Sequence, residues 1–180
     1  MKRSFTHIAL GLCLLVCSTS LAFAIPQGPS RVPQSGSERV SKLFSAFRSG
    51  KYSDQEIKGL GWGDVPALLR LTTSTTTLSS FPTNGLSSMY VGRTTEGLIA
   101  LWLIEGIRTN KLPCASLNPL LPPFNQGQDY EQVSESRQAK AAEAYDSWWK
   151  RVKSLRASQA AKVNPLKGTG FSWYGEGLGY

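Results

Sequence analysis

Few side chains in this sequence could do acid–base, nucleophilic or metal chemistry, and their positions limit what they can do. The single histidine, His7, and two of the three cysteines, Cys13 and Cys17, fall within the first 17 of 180 residues. That stretch reads as an export leader, so a chain cleaved after Ala24 keeps no histidine and one thiol, Cys114. Such a chain has no imidazole to act as general base in a Ser–His or Cys–His pair. It also lacks the His and Cys sets that bind zinc and any internal disulfide. Carboxylates are then the only acid–base groups left for hydrolysis. Glu96 and Glu105 stand nine residues apart on one expected helix. They point in roughly opposite directions about 13 Å apart along its axis, beyond the ~5–9.5 Å spacing of a glycosidase pair. Glu96 is expected in the first helical turn, where it complements the dipole. Glu105 is expected to pair with Arg108 or a neighbouring helix, or to face solvent. No catalytic residue, metal ligand or cofactor site is assigned.

Other motifs point the same way. No Ser-x-x-Lys stands out as a nucleophile–base pair, and there is no Gly-x-x-x-x-Gly-Lys loop and no calcium loop of alternating Asp and Asn. Gly59, Gly61 and Gly63 are spaced two apart around Trp62, which suits a turn better than a phosphate cradle. Lys150, Arg151, Lys153, Arg156, Lys162 and Lys167 follow one another with no acid between them. At 100° per residue the first three spread over about 160° of a helix circumference, whereas a phosphate-tracking face would cluster them. A solvated helix surface is expected, with contact to anionic envelope components as the second reading and no nucleic-acid partner. Phe171, Trp173 and Tyr174, near-consecutive aromatics among glycines, are the candidate binding surface. They either fold back to cover the helices, the favoured reading, or present a sticky patch to a glycan or partner. Cys114 is expected to be a small buried residue or, in an oxidising compartment, a cross-link between two chains.

The leader has three parts: Met1-Lys2-Arg3, the uncharged apolar run Ile8 to Val16, and the small-x-small Ala22-Phe23-Ala24. The apolar run is far shorter than the ~20 residues of a membrane-spanning helix, so no integral span is expected after cleavage. Lipoprotein processing at Cys17 is the rival, and Val16 in place of a small residue counts against it. Losing Lys2 and Arg3 leaves 18 basic and 12 acidic residues, hence a net charge of +6 on the exported part. The Pro-, Gly-, Ser- and Gln-rich stretch 25–37 has almost nothing to bury and is expected to be a disordered tether. Residues 38–180 then form a single domain.

The elements that would position these residues are helical. Ser37 is expected to begin the first helix, with Val40, Leu43, Phe44 and Phe47 on one face and Gly50 as its stop. Ser53 to Glu56 is a capping-box pattern for a short turn through Ile57 and Leu60. Asp64 is expected to N-cap a helix carrying Val65, Leu68, Leu69 and Leu71, with Pro66 tolerated in its first turn. Phe81 to Gly85 is turn chemistry, where a hairpin around Asn84-Gly85 is disfavoured by Pro82. Thr95 to Arg108 holds seven consecutive apolar residues, Leu98 to Ile104, and is expected to be the central buried helix. Leu112 to Phe124, with four prolines, is a connector. From about Asp129 to Ala161 the chain is helical, with Tyr145, Trp148, Trp149, Val152 and Leu155 as its stripe, and Lys167 to Tyr180 is expected to be extended. No segment alternates strictly, so the expected class is all-α.

Asp64 to Leu71 resembles the first helix of a HEAT-type repeat and Gly97 to Ile104 the second, within one 45-residue span from Asp64 to Arg108. The resemblance implies an antiparallel helical hairpin, and there is no second copy to extend it into a solenoid. Gly61-Trp62-Gly63-Asp64-Val65-Pro66, Leu101 to Arg108 and Asn164 to Trp173 are together similar to an uncharacterised family of exported bacterial proteins known as a domain of unknown function. That resemblance covers most of the chain after the leader and implies no activity. The expected function is a non-enzymatic interaction or scaffold protein of the cell envelope, its partner an envelope protein or an anionic envelope polymer. The alternative is a carboxylate-dependent envelope hydrolase acting on peptidoglycan or glycan, which needs two acids brought together by tertiary packing.

Overall fold

The first helix starts where a serine hydroxyl can satisfy an orphan backbone donor. In the computed structural model, which describes residues 35–82, 94–113, 121 and 133–174, Ser35 Oγ accepts the Glu38 N–H at 3.3 Å. Helix α1 therefore spans Gly36–Ser49 and takes two residues from the expected tether. Gly36 suits that entry because a Cβ there would lie 2.6 Å from the Gly63 carbonyl oxygen. Val40, Leu43, Phe44 and Phe47 form its buried face, and Gly50, at φ 66°, closes it in the left-handed conformation that favours glycine.

Helix α2 (Asp54–Lys58) carries the expected capping box: Ser53 Oγ accepts from Glu56 N, and Glu56 accepts from Ser53 N. It buries Ile57. A 3-10 turn at Trp62–Asp64 leads into α3 (Val65–Leu69). Asp64 stands at the expected N-cap position of α3, but its side chain makes no capping bond there. It sits third in the 3-10 turn, and its Oδ2 reaches back to accept the Gly61 N–H at 2.8 Å.

Two short strands depart from a wholly helical fold. β1 (Thr77–Leu78) pairs antiparallel with β2 (Thr94–Thr95), with Thr77 opposite Thr95 and Leu78 opposite Thr94. Two residues are too few to show alternation in sequence. The fold is mostly helical with this one small sheet.

Helix α4 (Glu96–Thr109) is buried from Glu96 through Arg108, as its unbroken apolar run demands. A helix this enclosed must satisfy its N-terminal donors inside the protein. Thr95 Oγ1 accepts from Leu98 N, and the carbonyls of Thr76 and Ser74 accept from Glu96 N and Gly97 N. α3 packs on α1 and on α4, and α4 packs on helix α5 (Glu135–Val152).

α5 ends nine residues before the expected Ala161. Its stripe buries Tyr145, Trp148 and Val152, while Trp149 is half-buried. Leu155, expected on that stripe, lies beyond the helix end and is 45 % exposed. The chain turns through Lys153 to Arg156 and re-enters a short helix, α6 (Ala157–Ala160), which returns Ala160 to the core.

The expected leader and tether up to residue 34, the turn around Asn84-Gly85, Cys114 and residues 175–180 lie outside the described residues. Of the proline-rich connector, Leu112 and Pro113 are half-buried and Leu121 is fully buried. Among the described residues, no helix is long and apolar enough to cross a membrane.

Candidate functional site: buried carboxylates and the aromatic tail

Each buried acid is held by an arginine. Glu105 and Arg108, one turn apart on α4, form a two-pronged pair. Arg108 Nε donates to Oε2 at 2.9 Å and Nη2 to Oε1 at 2.5 Å. Arg108 Nη1 also donates to the Ala161 carbonyl at 2.6 Å, a group made available because α6 ends there. Glu105 Oε2 accepts a further bond from the Tyr145 hydroxyl at 2.8 Å. That hydroxyl oxygen accepts from Trp173 Nε1 at 2.7 Å. Arg108 and Tyr145 thus meet on one carboxylate, and through them the α6 exit and the tail are tied to α4 and α5.

The electrostatics follow from this geometry. Burial raises the Tyr145 phenol well above its ordinary value, and the adjacent Glu105 charge pushes it the same way. The Trp173 donor and the Arg108 charge oppose those effects in part. The phenol stays protonated and donates. With Arg108 on both carboxylate oxygens and Tyr145 on one of them, Glu105 is committed to internal donors.

Glu96 lies at the other end of α4. Its Oε1 accepts from Arg48 Nε and Nη2, both at 2.6 Å, and its Oε2 accepts from Ser74 Oγ at 3.0 Å. It sits in the first turn, as expected, and its partner comes from the last turn of α1. The half-exposed Arg48 leaves this pair in contact with solvent, unlike Glu105. The third buried acid, Asp64, accepts from Arg39 Nη1 at 3.1 Å through Oδ2. Its Oδ1, with Thr94 Oγ1 and Trp148 Nε1, is buried without a hydrogen-bond partner.

Sequence reasoning missed Gln138. Its Nε2 donates to the carbonyls of Thr72 and Ser74 at 2.9 and 3.0 Å, and its Oε1 accepts from Thr95 Oγ1 at 2.5 Å. One amide thereby ties α5 to the α3–β1 loop and to the start of α4. Nothing in the local pattern marks a lone Gln on an Ala- and Lys-rich helix. Only the buried position does.

The three aromatics singled out from sequence separate in the structure. Trp173 is 2 % exposed and its indole enters the core. Phe171 packs against that core while half-buried, and Tyr174 is half-buried beside it. The approach to them is a series of turns where an extended segment was expected. Leu166 N donates to Asn164 Oδ1, Thr169 Oγ1 and N both donate to the Leu166 carbonyl, and Phe171 N donates to Thr169 Oγ1. Gly168 and Gly170, at φ 82° and 80°, make these reversals. Elsewhere, Trp62 stacks on Trp149 with centroids 6.2 Å apart and tilts against Trp148 at 5.9 Å. The six cations from Lys150 to Lys167 are exposed, and Lys150 pairs with Asp146 one turn earlier. Among the described residues, no group of three or more His, Cys, Asp or Glu is placed to hold a metal ion.

Residues 34–174 match a family model described as a domain of unknown function (DUF4943). No curated protein and no solved structure matches the chain.

Proposed function

The chain belongs to the DUF4943 family, whose description assigns no activity, and on that premise we propose that it is an exported, non-enzymatic interaction or scaffold domain of the bacterial cell envelope. The observation that carries this reading is the state of its acids. Glu105 spends its oxygens on Arg108 and Tyr145, Glu96 on Arg48 and Ser74, and these two sites lie at opposite ends of α4. A hydrolytic pair needs one carboxyl free to protonate a leaving group and a second placed within ~5–9.5 Å of it. Here the acids serve as internal fasteners.

Export rests on the tripartite leader and the alanines at 22 and 24. The packing of α3, with Pro66 in its first turn, against the apolar α4 supports a HEAT-like hairpin at the centre of the fold. Such a hairpin would hold binding surfaces rigid. Phe171 and Tyr174 at the rim of the core, together with the positive charge of the C-terminal half, fit an envelope protein or an anionic envelope polymer as partner.

Two measurements test the proposal. Mass spectrometry of the chain recovered from the envelope should find Ile25 at its N-terminus, and a chain retained in the cytoplasm with Met1 in place would overturn export. Incubation of the purified protein with peptidoglycan should release no soluble fragments. Release that disappears in Glu105→Gln or Glu96→Gln would replace the scaffold reading with the hydrolase.

A further inference from the structure

Leu155 is the one large apolar side chain that stands exposed among the described residues, and its surroundings are unusual. It occupies the corner between α5 and α6. Arg151 and Lys153 precede it, Arg156 follows it, and all three are exposed. From Ser147 to Gly175 the chain contains no acidic residue and six basic ones. The corner is also held firmly from within. Val152, three residues before Leu155, is 2 % exposed and Ala160, five after it, is 1 % exposed. Leu155 N donates to the Val152 carbonyl at 2.8 Å, which fixes the tip relative to the helix end.

We infer that this corner is a docking surface for an anionic phospholipid bilayer, with Leu155 entering the acyl boundary and Arg151, Lys153 and Arg156 meeting the headgroups. The inference deepens the envelope reading above by naming the partner of one surface. Two features together select a bilayer. Cations alone suit any polyanion, and the net positive field of the segment supplies that attraction. An exposed leucine next to them in the chain gains nothing from a soluble polyanion or a nucleic-acid backbone. It gains transfer free energy only where hydrocarbon lies beneath the charge, as at a lipid interface. The helix end adds a fixed geometry, so insertion does not require ordering a loose segment. The number of cations is small, and the contact is accordingly weak, reversible and sensitive to salt.

The test is flotation of the purified protein, in the form in which it accumulates in cells, with vesicles of phosphatidylcholine and phosphatidylglycerol at 3:1 or of phosphatidylcholine alone. Binding is expected to the anionic vesicles only and to fall as salt is raised. Leu155→Ser should weaken it by roughly fivefold, the loss of about half a buried leucine, while leaving retention on a soluble polyanion such as heparin unchanged. Lys153→Glu with Arg156→Glu should abolish both, since each cation near the surface contributes about fivefold. All three substituted positions are exposed, and an unchanged melting temperature checks that the variants fold. Failure of the wild type to float with anionic vesicles overturns the inference. So does a Leu155→Ser protein that floats as well as wild type, because the corner then recognises charge alone. Neither outcome bears on export, which the mature N-terminus reads separately.

Discussion

Glu105 and Arg108 form a buried ion pair, and that contact behaves differently when one partner or both are removed. A buried charge without its counterpart costs about 3–5 kcal/mol, whereas replacing both charges by apolar groups of similar size is often neutral. Glu105→Gln and Arg108→Met should therefore each lower stability by several kcal/mol in urea titrations, and Glu105→Leu with Arg108→Met together by much less than the sum. An additive double variant would show that the pair does not act as a unit. Tyr145 makes the same site sensitive to alkali. Its phenol is raised above the ordinary value in the folded protein by burial and by Glu105, so the unfolded chain releases the proton first. The stabilisation is whole below about pH 10, the unfolded value, and is lost as pH climbs from there through the folded value. Tyr145→Phe should be less stable than wild type at pH 7, by about 1.5–3 kcal/mol for a bond to a charged acceptor. The gap should narrow in denaturation curves recorded above pH 10. A constant gap would mean that Tyr145 ionises as easily folded as unfolded. The i, i+3 pairing of Glu105 with Arg108 is legible in the sequence, whereas Tyr145 and Trp173 are not, because they arrive from 40 residues on and beyond.

Among the elements, α4 depends on the closeness with which the segment before β1 and the α5 amide approach its first turn. Gly97 marks that approach. A Cβ there would meet Gln138 Nε2 and the Thr72 and Ser74 carbonyls, the last at 2.7 Å. The Gly97 N–H itself bonds to Ser74 at 3.1 Å, so backbone cannot withdraw without breaking a bond. Gly97→Ala should destabilise by about 1–3 kcal/mol or more, measured by thermal unfolding, although alanine is the better helix former by roughly 1 kcal/mol in the abstract. A neutral or stabilising result would show that the loop can give way. The helices themselves were largely readable. The apolar faces of α1 and α4, the Ser53 capping box and the Gly50 stop all follow from local rules. The boundaries that differ do so in two ways. Ser35 rather than Ser37 caps α1 and Asp64 bonds back to Gly61, both local choices among neighbouring donors and acceptors, whereas α5 stops at Val152 and the chain turns so that Ala160 is buried.

Across the whole molecule, the tail determines how α4 and α5 are closed. Trp173 fills the core and donates to Tyr145, so residues 168–180 contribute both volume and a polar contact. Deleting them should remove about 3–5 kcal/mol for the tryptophan alone, seen as a large drop in melting temperature. Unchanged stability would return Phe171, Trp173 and Tyr174 to the role of an exposed binding patch. Sequence by itself determined the mostly helical class, the central helix and the poverty of the chain in reactive side chains, because periodicity, length and residue type are properties of the chain itself. Tertiary structure decided which acid meets which arginine, that Gln138 joins three segments, that Trp173 turns inward and that Leu155 stays out. Those outcomes depend on which surfaces meet once the elements pack, and contacts between residues tens of positions apart leave no periodic trace in the sequence.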